Sequence, residues 1–394
     1  MDRDDQISRT RFLQWMAKLG VASIVAPFAS NAEHFTRPQK KIKIGLIGCG
    51  SVSTQYLPHL SKSAHVELVS TCDIIPERAI EAAKKYGVAN HYPSIEKMLA
   101  GAPFDLMVNL TDMQEHGRLN KIALLAGKHV WSEKPMATTY REGKELLELA
   151  GKKGIRIWGA PAVVNSPQFA FMAKAINEGK LGMIAGAHAH YGHLGPHWSA
   201  FFYEKNGGSM PDLAVYNIAT LTGLLGPAKS VVAMLNILTP MRKVENRPNP
   251  IKVEAEDNAM ILMEHASGAL SHVQSGFNYF DPYGHEGAGQ DKPTISMWGT
   301  KGNMHLIGYD WAPFGVDMAT EGQEKTKRHV TDAGSYVWQQ GASVISESLA
   351  TGIEPLINAE HSLHVLEIIG AARESQETGK RISLESVFKW PIVK

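Results

Sequence analysis

The sequence predicts a two-part α/β protein, in which a doubly wound parallel sheet is followed by an α+β domain with a large, mostly antiparallel sheet. Three observations lead to this prediction. The chain has 394 residues, 44% of them apolar, which suits a globular protein of two or three domains. Its first half alternates short aliphatic strands with helices. After about residue 159, strands follow one another across turns that contain Gly and Pro.

Charge and cysteine content exclude several classes of protein. Forty basic and 39 acidic residues leave a net charge of +1, without the basic excess typical of a nucleic-acid-binding protein. The two cysteines cannot form a disulfide framework, and no zinc-type Cys or His spacing occurs. No apolar run reaches the roughly 18 to 20 residues that span a bilayer. We therefore expect an enzyme with a large core, with no nucleic-acid partner and no membrane span.

The N-terminal segment differs from the rest of the chain. Arg9 and Arg11 precede a short apolar stretch that ends in small residues, a pattern typical of an export signal. It resembles the twin-arginine motif, with Thr10 where the second arginine would stand. We expect residues 1–32 to be an export signal and 33–40 a linker, so that the protein is periplasmic. An amphipathic helix or a disordered tail is the alternative.

A glycine-rich turn follows the first predicted strand, residues 41–47. The hexapeptide Gly-Cys-Gly-Ser-Val-Ser at 48–53 then leads into a helix. In a Rossmann crossover the first glycine makes the tight turn, the second lets the backbone approach a pyrophosphate, and a small third residue, here Ser53, packs the helix on the strand. The helix N-terminus then faces the phosphates. The residues expected to bind a dinucleotide here are Gly48, Gly50, Ser51 and Val52.

An acidic residue ends the second strand. Asp73 lies 23 residues after Gly50, close to the spacing of a ribose-binding carboxylate. Such a carboxylate accepts hydrogen bonds from a ribose 2′-hydroxyl and repels a 2′-phosphate, so we expect NAD, with NADP as the alternative. Arg78 could soften this repulsion, although at the start of a helix we expect it to face solvent. Asp73 could also cap the helix that opens at Pro76.

Further helices and strands alternate as far as residue 159. Helices are expected at 94–99, 115–126 and 140–153, and strands at 105–110, 129–132 and 155–159. Residues 41–159 are thus predicted to form a Rossmann domain. Cys49 and Cys72 would end neighbouring strands, as small buried residues without a disulfide.

Residues 160–394 are predicted to form the second domain. Strands are expected at 181–191, 229–238, 259–265, 268–277, 294–298 and 303–307, and helices at 212–224 and 359–378. The Gly-rich segment 281–289 is interpreted as a loop on the substrate side, because it does not follow the strand–helix pattern of a phosphate cradle.

Polar residues collect at the carboxyl ends of the fourth and fifth strands, the edge where doubly wound sheets bind ligands. Thr111 and His116 follow the fourth strand, and Glu133-Lys134-Pro135 ends the fifth. Proline permits a cis peptide, which would aim Lys134 at a nicotinamide; a surface lysine at the start of a loop is the alternative. We expect Thr111, Glu133 and Lys134 to contact the cofactor, and His116 the cofactor or the substrate.

Taken together, the motifs resemble the glucose–fructose oxidoreductase/inositol dehydrogenase (Gfo/Idh/MocA) family. The resemblance covers about residues 41–390 and rests on segments 45–50, 111–116, 132–137, 207–216, 299–302 and 375–379. It implies a nicotinamide-dependent oxidoreductase that acts on a secondary hydroxyl of a sugar or glycoside. It also implies a homo-oligomer built through the C-terminal sheet.

The resemblance implies catalytic residues as well. Lys134 matches the family's catalytic lysine, and Asp212 matches the first residue of its Asp-x-Gly-x-His motif. Ala214 replaces the glycine and Tyr216 replaces the histidine, as in the branch with glucose–fructose oxidoreductase and dihydrodiol dehydrogenases. That oxidoreductase is periplasmic and retains its nucleotide, so we expect a tightly held cofactor. The turn at 162–167 lacks the arginine common in the family, which leaves the substrate open.

Oxidation of a secondary alcohol requires a base near the hydroxyl. We expect Tyr216 to be the acid/base, with a pKa lowered by Lys134, and Asp212 to orient the pair. Alternatively, Lys134 accepts the proton directly and Tyr216 only positions the substrate. Two other functions remain open: an NAD-dependent glycoside hydrolase using transient oxidation and elimination, and a non-catalytic sugar-binding protein.

Four histidines lie between residues 188 and 197. We expect His193, His197 and Trp198 to recognise sugar hydroxyls. His188 and His190 share a strand face, but no carboxylate lies between them, so we expect no metal site.

Overall fold

A computed structural model describes residues 40–280 and 291–394. The predicted export signal, nearly all of the predicted linker and the predicted loop at 281–289 lie outside the described residues. Residues Lys40–Lys394 belong to one structural unit. Within the described ranges, no helix has the length and apolar character that a membrane crossing requires.

Aliphatic segments of the first half pair into a six-stranded parallel sheet. Its strands are β1 (Ile42–Ile47), β2 (Val66–Cys72), β3 (Asn90–Tyr92), β4 (Leu106–Asn109), β5 (His129–Ser132) and β6 (Ile157–Gly159). They are arranged in the order β3-β2-β1-β4-β5-β6, and all pairs are parallel. The order reverses between β1 and β4, so the carboxyl ends of these strands open the crevice where such sheets bind ligands.

Capping residues set the ends of the helices that connect these strands. The helices are α1 (Ser53–Leu60), α2 (Pro76–Tyr86), α3 (Ile95–Leu99), α4 (His116–Leu125) and α5 (Tyr140–Lys153). The Ser94 and Thr139 side chains accept the first free N–H groups of α3 and α5. Gly87 and Gly154, both left-handed, end α2 and α5. The predicted helices at 94–99, 115–126 and 140–153 are therefore observed within one residue.

The second half forms a nine-stranded sheet. Its strands are β7 (Ile184–Gly192), β8 (Ala228–Asn236), β11 (Asn258–His265), β12 (Leu270–Gly276), β13 (Pro293–Gly299), β14 (Gly302–Tyr309), β15 (Ala312–Thr320), β16 (Lys327–His329) and β17 (Ile382–Ser383), with β9 (Met241–Arg242) and β10 (Ile251–Lys252) paired separately. The order is β16-β15-β14-β13-β7-β12-β11-β8-β17. Only the β7–β12 pair is parallel among those described, which confirms a large, mostly antiparallel sheet.

Helices of the second half are α6 (Pro167–Asn177), α7 (Val215–Leu225), α8 (Gly341–Thr351) and α9 (Ala359–Thr378). The sequence predicted α7 and α9 but missed α6 and α8, and it also missed the strands β9, β10, β15, β16 and β17. The start of α6 carries a capping signal, since the Ser166 hydroxyl accepts the Phe169 N–H and Pro167 occupies the first turn. A π-helical turn, Met210–Ala214, extends α7 at its N-terminus.

Alternating side chains give the nine-stranded sheet two different faces. On β11, Ala259, Ile261 and Met263 are buried in a core shared with α7, whereas Met260 and Leu262 are exposed. Strand register places further residues on the same side as Leu262. We call this side the open face; its members are Val232, Met234, Met260, Leu262, Leu270, Trp298 and the histidines His188, His190, His272 and His305.

Candidate active site

The turn after β1 has the shape of a phosphate cradle. Gly48 has φ +90°, and a Cβ atom there would lie 2.5 Å from the carbonyl carbon of Leu110, so only glycine fits. A Cβ atom on Gly50 would meet nothing closer than Arg78 Nη1, at 3.9 Å. The Ser53 hydroxyl is buried and donates to the Gly50 carbonyl at 2.6 Å. The backbone at Gly50 is therefore open to a pyrophosphate.

The two residues before α1 complete this turn. Ser51 is exposed and Val52 is half-buried. The N-terminus of α1 follows directly, and the positive end of its helix dipole favours an anion. The glycine cradle and the helix start would thus suit the pyrophosphate of a dinucleotide.

Asp73 is buried and holds the glycine-rich turn against the start of α2. One of its oxygens accepts the Cys49 N–H at 2.7 Å, and the other accepts the Ile75 N–H at 2.8 Å. Each carboxylate oxygen can accept a second hydrogen bond, so contact with a ribose hydroxyl stays compatible with this geometry. Arg78 is exposed to solvent, as predicted, and its guanidinium also reaches the Gly50 turn.

The two cysteines fit their predicted role. Cys49 and Cys72 are free and buried, and the Cys49 thiol donates to the Cys72 carbonyl at 3.5 Å. Burial, with the charge of Asp73, raises the pKa of each thiol to about 12. Both residues are therefore packing residues beneath the turn.

A buried amide network, which the sequence analysis missed, fixes the ends of β4 and β5. The Thr111 hydroxyl donates to Asn109 Oδ1 at 2.8 Å. Asn109 Nδ2 donates to Asn120 Oδ1 at 2.9 Å, and Asn120 Nδ2 donates to the Ser132 hydroxyl at 2.9 Å. Buried amides satisfied in this way hold the two strand ends in one arrangement. The loop that carries Thr111 is thereby tied to the strand that leads to Lys134.

His116 connects two loops of the site. It is only 1% exposed. Its Nδ1 lies 2.7 Å from the Pro135 carbonyl oxygen, and its Nε2 lies 2.9 Å from the Thr111 carbonyl oxygen. Burial lowers the pKa of His116. A neutral ring carries one N–H and so donates to one of these two carbonyls, which places His116 between the two loops; its contact with cofactor or substrate stays a prediction.

Glu133 links the backbone of Lys134 to α1. Its Oε1 accepts the Tyr56 hydroxyl at 2.7 Å, and its Oε2 accepts the Lys134 N–H at 3.0 Å. Burial, followed by the charge of Glu133, raises the pKa of Tyr56 well above its usual value. Trp131 Nε1 also donates to the Tyr56 hydroxyl, at 3.2 Å. In this geometry the Glu133 carboxylate fastens the Lys134 turn to the helix that follows the cradle.

The three predicted catalytic residues meet at the end of β5. The Lys134–Pro135 peptide is cis. Lys134 Nζ donates to Asp212 Oδ1 and to the Asp212 carbonyl oxygen, both at 2.8 Å. The two side chains are only 11% and 12% exposed. The same Nζ lies 5.1 Å from the centroid of the Tyr216 ring, within cation–π range. The alternative of a surface lysine is therefore wrong.

The electrostatics of Tyr216 differ from the expectation. Burial raises its pKa well above the usual value, and the charges of Glu133, Tyr191 and Asp212 raise it further. A phenolate in this position would lose its hydration and face these acidic groups, while the charge of Lys134 is balanced by Asp212. The expected lowering of the Tyr216 pKa is thus wrong.

An aromatic wall, also missed from sequence, borders this cluster. The Tyr191 ring lies 6.3 Å from Tyr216 and 4.6 Å from Tyr309. Tyr309 stacks on Trp311 with a centroid distance of 5.3 Å, and Trp311 meets Trp338 edge to face at 6.3 Å. Both tryptophans are half-buried. The wall offers flat apolar surface beside an ionisable pair, a combination typical of small-molecule sites.

The predicted sugar-recognition residues are only partly brought to this cluster. His193 contacts Tyr191, with a centroid distance of 6.1 Å, so it lies one ring away from Tyr216. His197 is exposed and pairs with Glu245 at 3.5 Å. Trp198 is exposed and packs edge to face on Phe202. Of the three, His193 is nearest to the ionisable pair by its contacts.

Histidines of the open face contact one another. His188 Nδ1 lies 2.9 Å from His272 Nδ1, and the His188 and His190 rings stack at 5.7 Å. Over residues 40–280 and 291–394, no group of three or more His, Cys, Asp or Glu side chains has the arrangement of a metal site.

Comparison with known proteins identifies the family. Residues 42–160 match the oxidoreductase family with an NAD-binding Rossmann fold, and residues 169–305 match the GFO/IDH/MocA C-terminal domain. A scyllo-inositol 2-dehydrogenase (NADP(+)) from Bacillus subtilis is 26% identical over 361 residues, which cover 87% of this chain and 96% of that protein.

Solved structures show the same fold. A levoglucosan dehydrogenase in complex with NADH and L-sorbose superposes with a TM-score of 0.75 at 19% identity, covering 88% of this chain and 100% of that one. An aldose–aldose oxidoreductase from Caulobacter crescentus, complexed with glycerol, gives a TM-score of 0.74 at 20% identity, with the same coverage of 88% and 100%. The chain thus belongs to the Gfo/Idh/MocA family of NAD(P)-dependent oxidoreductases.

Proposed function

We propose that this protein oxidises or reduces a secondary hydroxyl of a sugar or glycoside, using NAD(H) that it holds tightly. The observation that carries the proposal is the buried Lys134–Asp212 pair, with its 2.8 Å contacts, beside Tyr216 and the aromatic wall. The named relatives support the substrate class, since their names refer to scyllo-inositol, levoglucosan and aldoses. Each is a dehydrogenase or oxidoreductase, so the hydrolase alternative is not favoured.

In the proposed reaction the nicotinamide supplies the hydride-accepting and hydride-donating chemistry. In the direction of reduction, the Lys134 ammonium of the ion pair gives a proton to the substrate oxygen, and in the direction of oxidation the same nitrogen takes that proton back. Asp212 then stabilises that ammonium through its carboxylate and its carbonyl oxygen. Tyr216, whose raised pKa keeps it a phenol, donates a hydrogen bond to a substrate oxygen. This assignment exchanges the roles that the sequence first suggested for Lys134 and Tyr216.

Mass spectrometry of the purified, denatured protein tests cofactor retention, and a panel of sugars, polyols and chromogenic glycosides tests turnover. We expect a released nucleotide, mostly NAD, and formation of a ketosugar. If no nucleotide is released and neither NAD nor NADP is turned over with any member of the panel, the proposal is wrong. Aglycone release without net change in NADH would instead establish the hydrolase.

We also propose that the open face joins two copies of the chain. The seven long strands of the sheet, spaced about 4.8 Å apart and each about 25 Å long, give a face of roughly 840 Å². A stable dimer needs about 800 Å² per partner, so the area suffices. The exposed apolar residues Val232, Met234, Leu262 and Leu270 suit burial against an identical surface. Sedimentation of the purified protein tests this, and a monomer at micromolar concentration would contradict it.

Localisation is a further proposal. The Arg9–Ala32 segment has the order of basic, apolar and small residues of an export signal, and we propose a periplasmic enzyme exported already folded with its nucleotide. Fractionation of native cells, followed by N-terminal sequencing, tests this. A full-length chain found only in the cytoplasmic fraction would exclude it.

A further inference from the structure

The position of Asp212 depends on a backbone turn that lies outside the ionisable cluster. Residues 207–209 lead into the π-helical turn Met210–Ala214, which carries Asp212. Both groups of Asp212 that hold Lys134, the carboxylate and the main-chain carbonyl, move with this turn. The buried carboxylate of Glu256 contacts this turn.

Glu256 binds the turn at three points. Its backbone carbonyl accepts the Ser209 N–H at 2.9 Å, and its side-chain Oε1 accepts the Met210 N–H at 3.3 Å. The backbone of Gly208, with φ +107°, packs directly on the carboxylate, because a Cβ atom there would lie 2.3 Å from Oε1. Glycine is therefore required at this point of the turn.

Arg373, on α9, holds both partners. Its Nη2 donates to the Gly207 carbonyl at 2.8 Å and lies 3.4 Å from each carboxylate oxygen of Glu256. Burial raises the pKa of Glu256, and the charge of Arg373 opposes this rise. A single guanidinium nitrogen thus bridges the Gly207 carbonyl and the Glu256 carboxylate.

We propose that Glu256 and Arg373 are positioning residues that fix the Asp212 turn so that its carboxylate and its carbonyl both reach Lys134. The inference rests on the proposed roles of Lys134 and Asp212. Neither residue touches the reacting atoms. Their effect on activity passes through the main chain of residues 207–212, where a displacement of about 1 Å costs on the order of 100-fold in rate.

The test compares Glu256→Ala, Glu256→Gln and a matched control, Glu367→Ala. Glu256 and Glu367 are both 8% exposed, and the Glu367 carboxylate likewise accepts backbone N–H groups, those of Glu385 and Ser386. Glutamine keeps an oxygen acceptor for the Met210 N–H, whereas alanine does not. Two measurements are made on each folded variant. Steady-state kinetics give kcat and KM, and peptide mass spectrometry follows the rate at which an amine-directed acylating reagent modifies Lys134.

We expect Glu256→Ala to lower kcat by about 10- to 100-fold with little change in KM, and to speed Lys134 modification at least about fivefold. Glu256→Gln should retain most of the wild-type values, and Glu367→Ala should change neither quantity. The modification rate does not depend on the substrate, so it separates this inference from the proposed function. If the wild-type protein proves to lack the proposed oxidoreductase activity, faster Lys134 modification in Glu256→Ala would still support the positioning role.

An unchanged Lys134 modification rate in folded Glu256→Ala would overturn the inference, as would an equal change in Glu367→Ala. If Glu256→Ala fails to fold, Arg373→Met replaces it, because methionine removes the nitrogen that bridges Gly207 and Glu256. Arg373→Met should then speed Lys134 modification, and a wild-type rate in that variant would equally overturn the inference.

Discussion

The crevice and the open face place ionisable side chains in opposite environments. In the crevice, Lys134 and Asp212 are almost fully buried and joined by direct hydrogen bonds. On the open face, the half-buried His188 and His272 rings face each other among exposed apolar residues. Charge is held in place in the first region, whereas the second favours neutral rings, because burial lowers the pKa of both histidines.

This difference indicates what each region is suited to do. A fixed, desolvated ion pair can favour one charge distribution of a reacting group over another, which is what catalysis requires. A broad surface of neutral rings and aliphatic side chains gains free energy only when it is removed from water. This contrast supports our proposals that the crevice is the chemical site and the open face the association surface, and substitutions in one should leave the other unchanged.

The largest effect is expected from Lys134→Ala. It removes the proposed proton acceptor and leaves Asp212 without its partner, so kcat should fall at least about 1,000-fold. Steady-state turnover measures this, and sedimentation should show an unchanged oligomer. Lys144→Ala is the matched control, because Lys144 pairs with Glu385 at the surface and its loss should leave kcat within about twofold.

Tyr216→Phe separates the two acid/base assignments. If Lys134 accepts the proton, loss of the phenol should cost only a hydrogen bond, about 10-fold in kcat/KM. A loss as large as that of Lys134→Ala would restore Tyr216 as the acid/base.

The open face is tested by Leu262→Glu. Leu262 is 57% exposed and lies in register with His272 and Val232. In a twofold interface the substitution places one glutamate on each copy, and both carboxylates would be buried without a partner. Association should therefore weaken by at least about 100-fold, as measured by sedimentation over a range of concentrations. Leu125→Glu, on α4, is the control, since Leu125 is 53% exposed but belongs to the other half of the chain. Equal dissociation of both variants would contradict the proposed interface.

The sequence predicted those parts of the molecule that local signals determine. The hexapeptide at 48–53 and Asp73 predicted the cradle, and Glu133-Lys134-Pro135 predicted the position of the lysine. These two predictions succeed because parallel strands bring their carboxyl ends to one edge of the sheet, and this placement does not depend on the second domain. The Asp212–Tyr216 pair followed from the family resemblance and not from local pattern.

Features that depend on long-range packing were not predictable in this way. The amide network joins Asn109, Asn120 and Ser132 across three elements, and the Glu256–Arg373 contact spans 117 residues. The pKa of Tyr216 was predicted with the wrong sign because its burial, which outweighs the nearby lysine, is set by the second sheet. Sequence shows which charges exist, but burial decides their effect.

Association through the open face should weaken as pH falls. Burial lowers the pKa of His188, His190, His272 and His305, so the folded face prefers neutral rings. Because these pKa values lie below the ordinary imidazole value of about 6.5, the four rings are protonated only below that pH. Protonation would place like charges on both partners, whereas above that pH association should be constant. Lys292 lies near His190 and adds positive charge, while Asp317, near His305, offsets some of it.

We expect the dimer dissociation constant to rise about 10-fold between pH 7.5 and pH 5.5. The double variant His188→Gln/His272→Gln should flatten this dependence, whereas Lys134→Ala should leave it intact. A dissociation constant that is the same at both pH values would show that these rings stay out of the interface.

The smallest effect concerns the choice between NAD and NADP. In Asp73→Ser the carboxylate charge beside the ribose site is lost, so the affinity for NADP relative to NAD should rise about fivefold, or roughly 1 kcal/mol. The gain should depend on Arg78, whose guanidinium reaches the Gly50 turn and could then meet a 2′-phosphate.

Isothermal titration with each nucleotide measures the ratio of the two affinities, and Asp73→Ser/Arg78→Ala serves as the matched control. Because Asp73 also accepts the Cys49 and Ile75 N–H groups, both variants should bind each nucleotide more weakly than the wild type. A ratio that stays at the wild-type value in Asp73→Ser would mean that Asp73 only shapes the turn and does not select the cofactor.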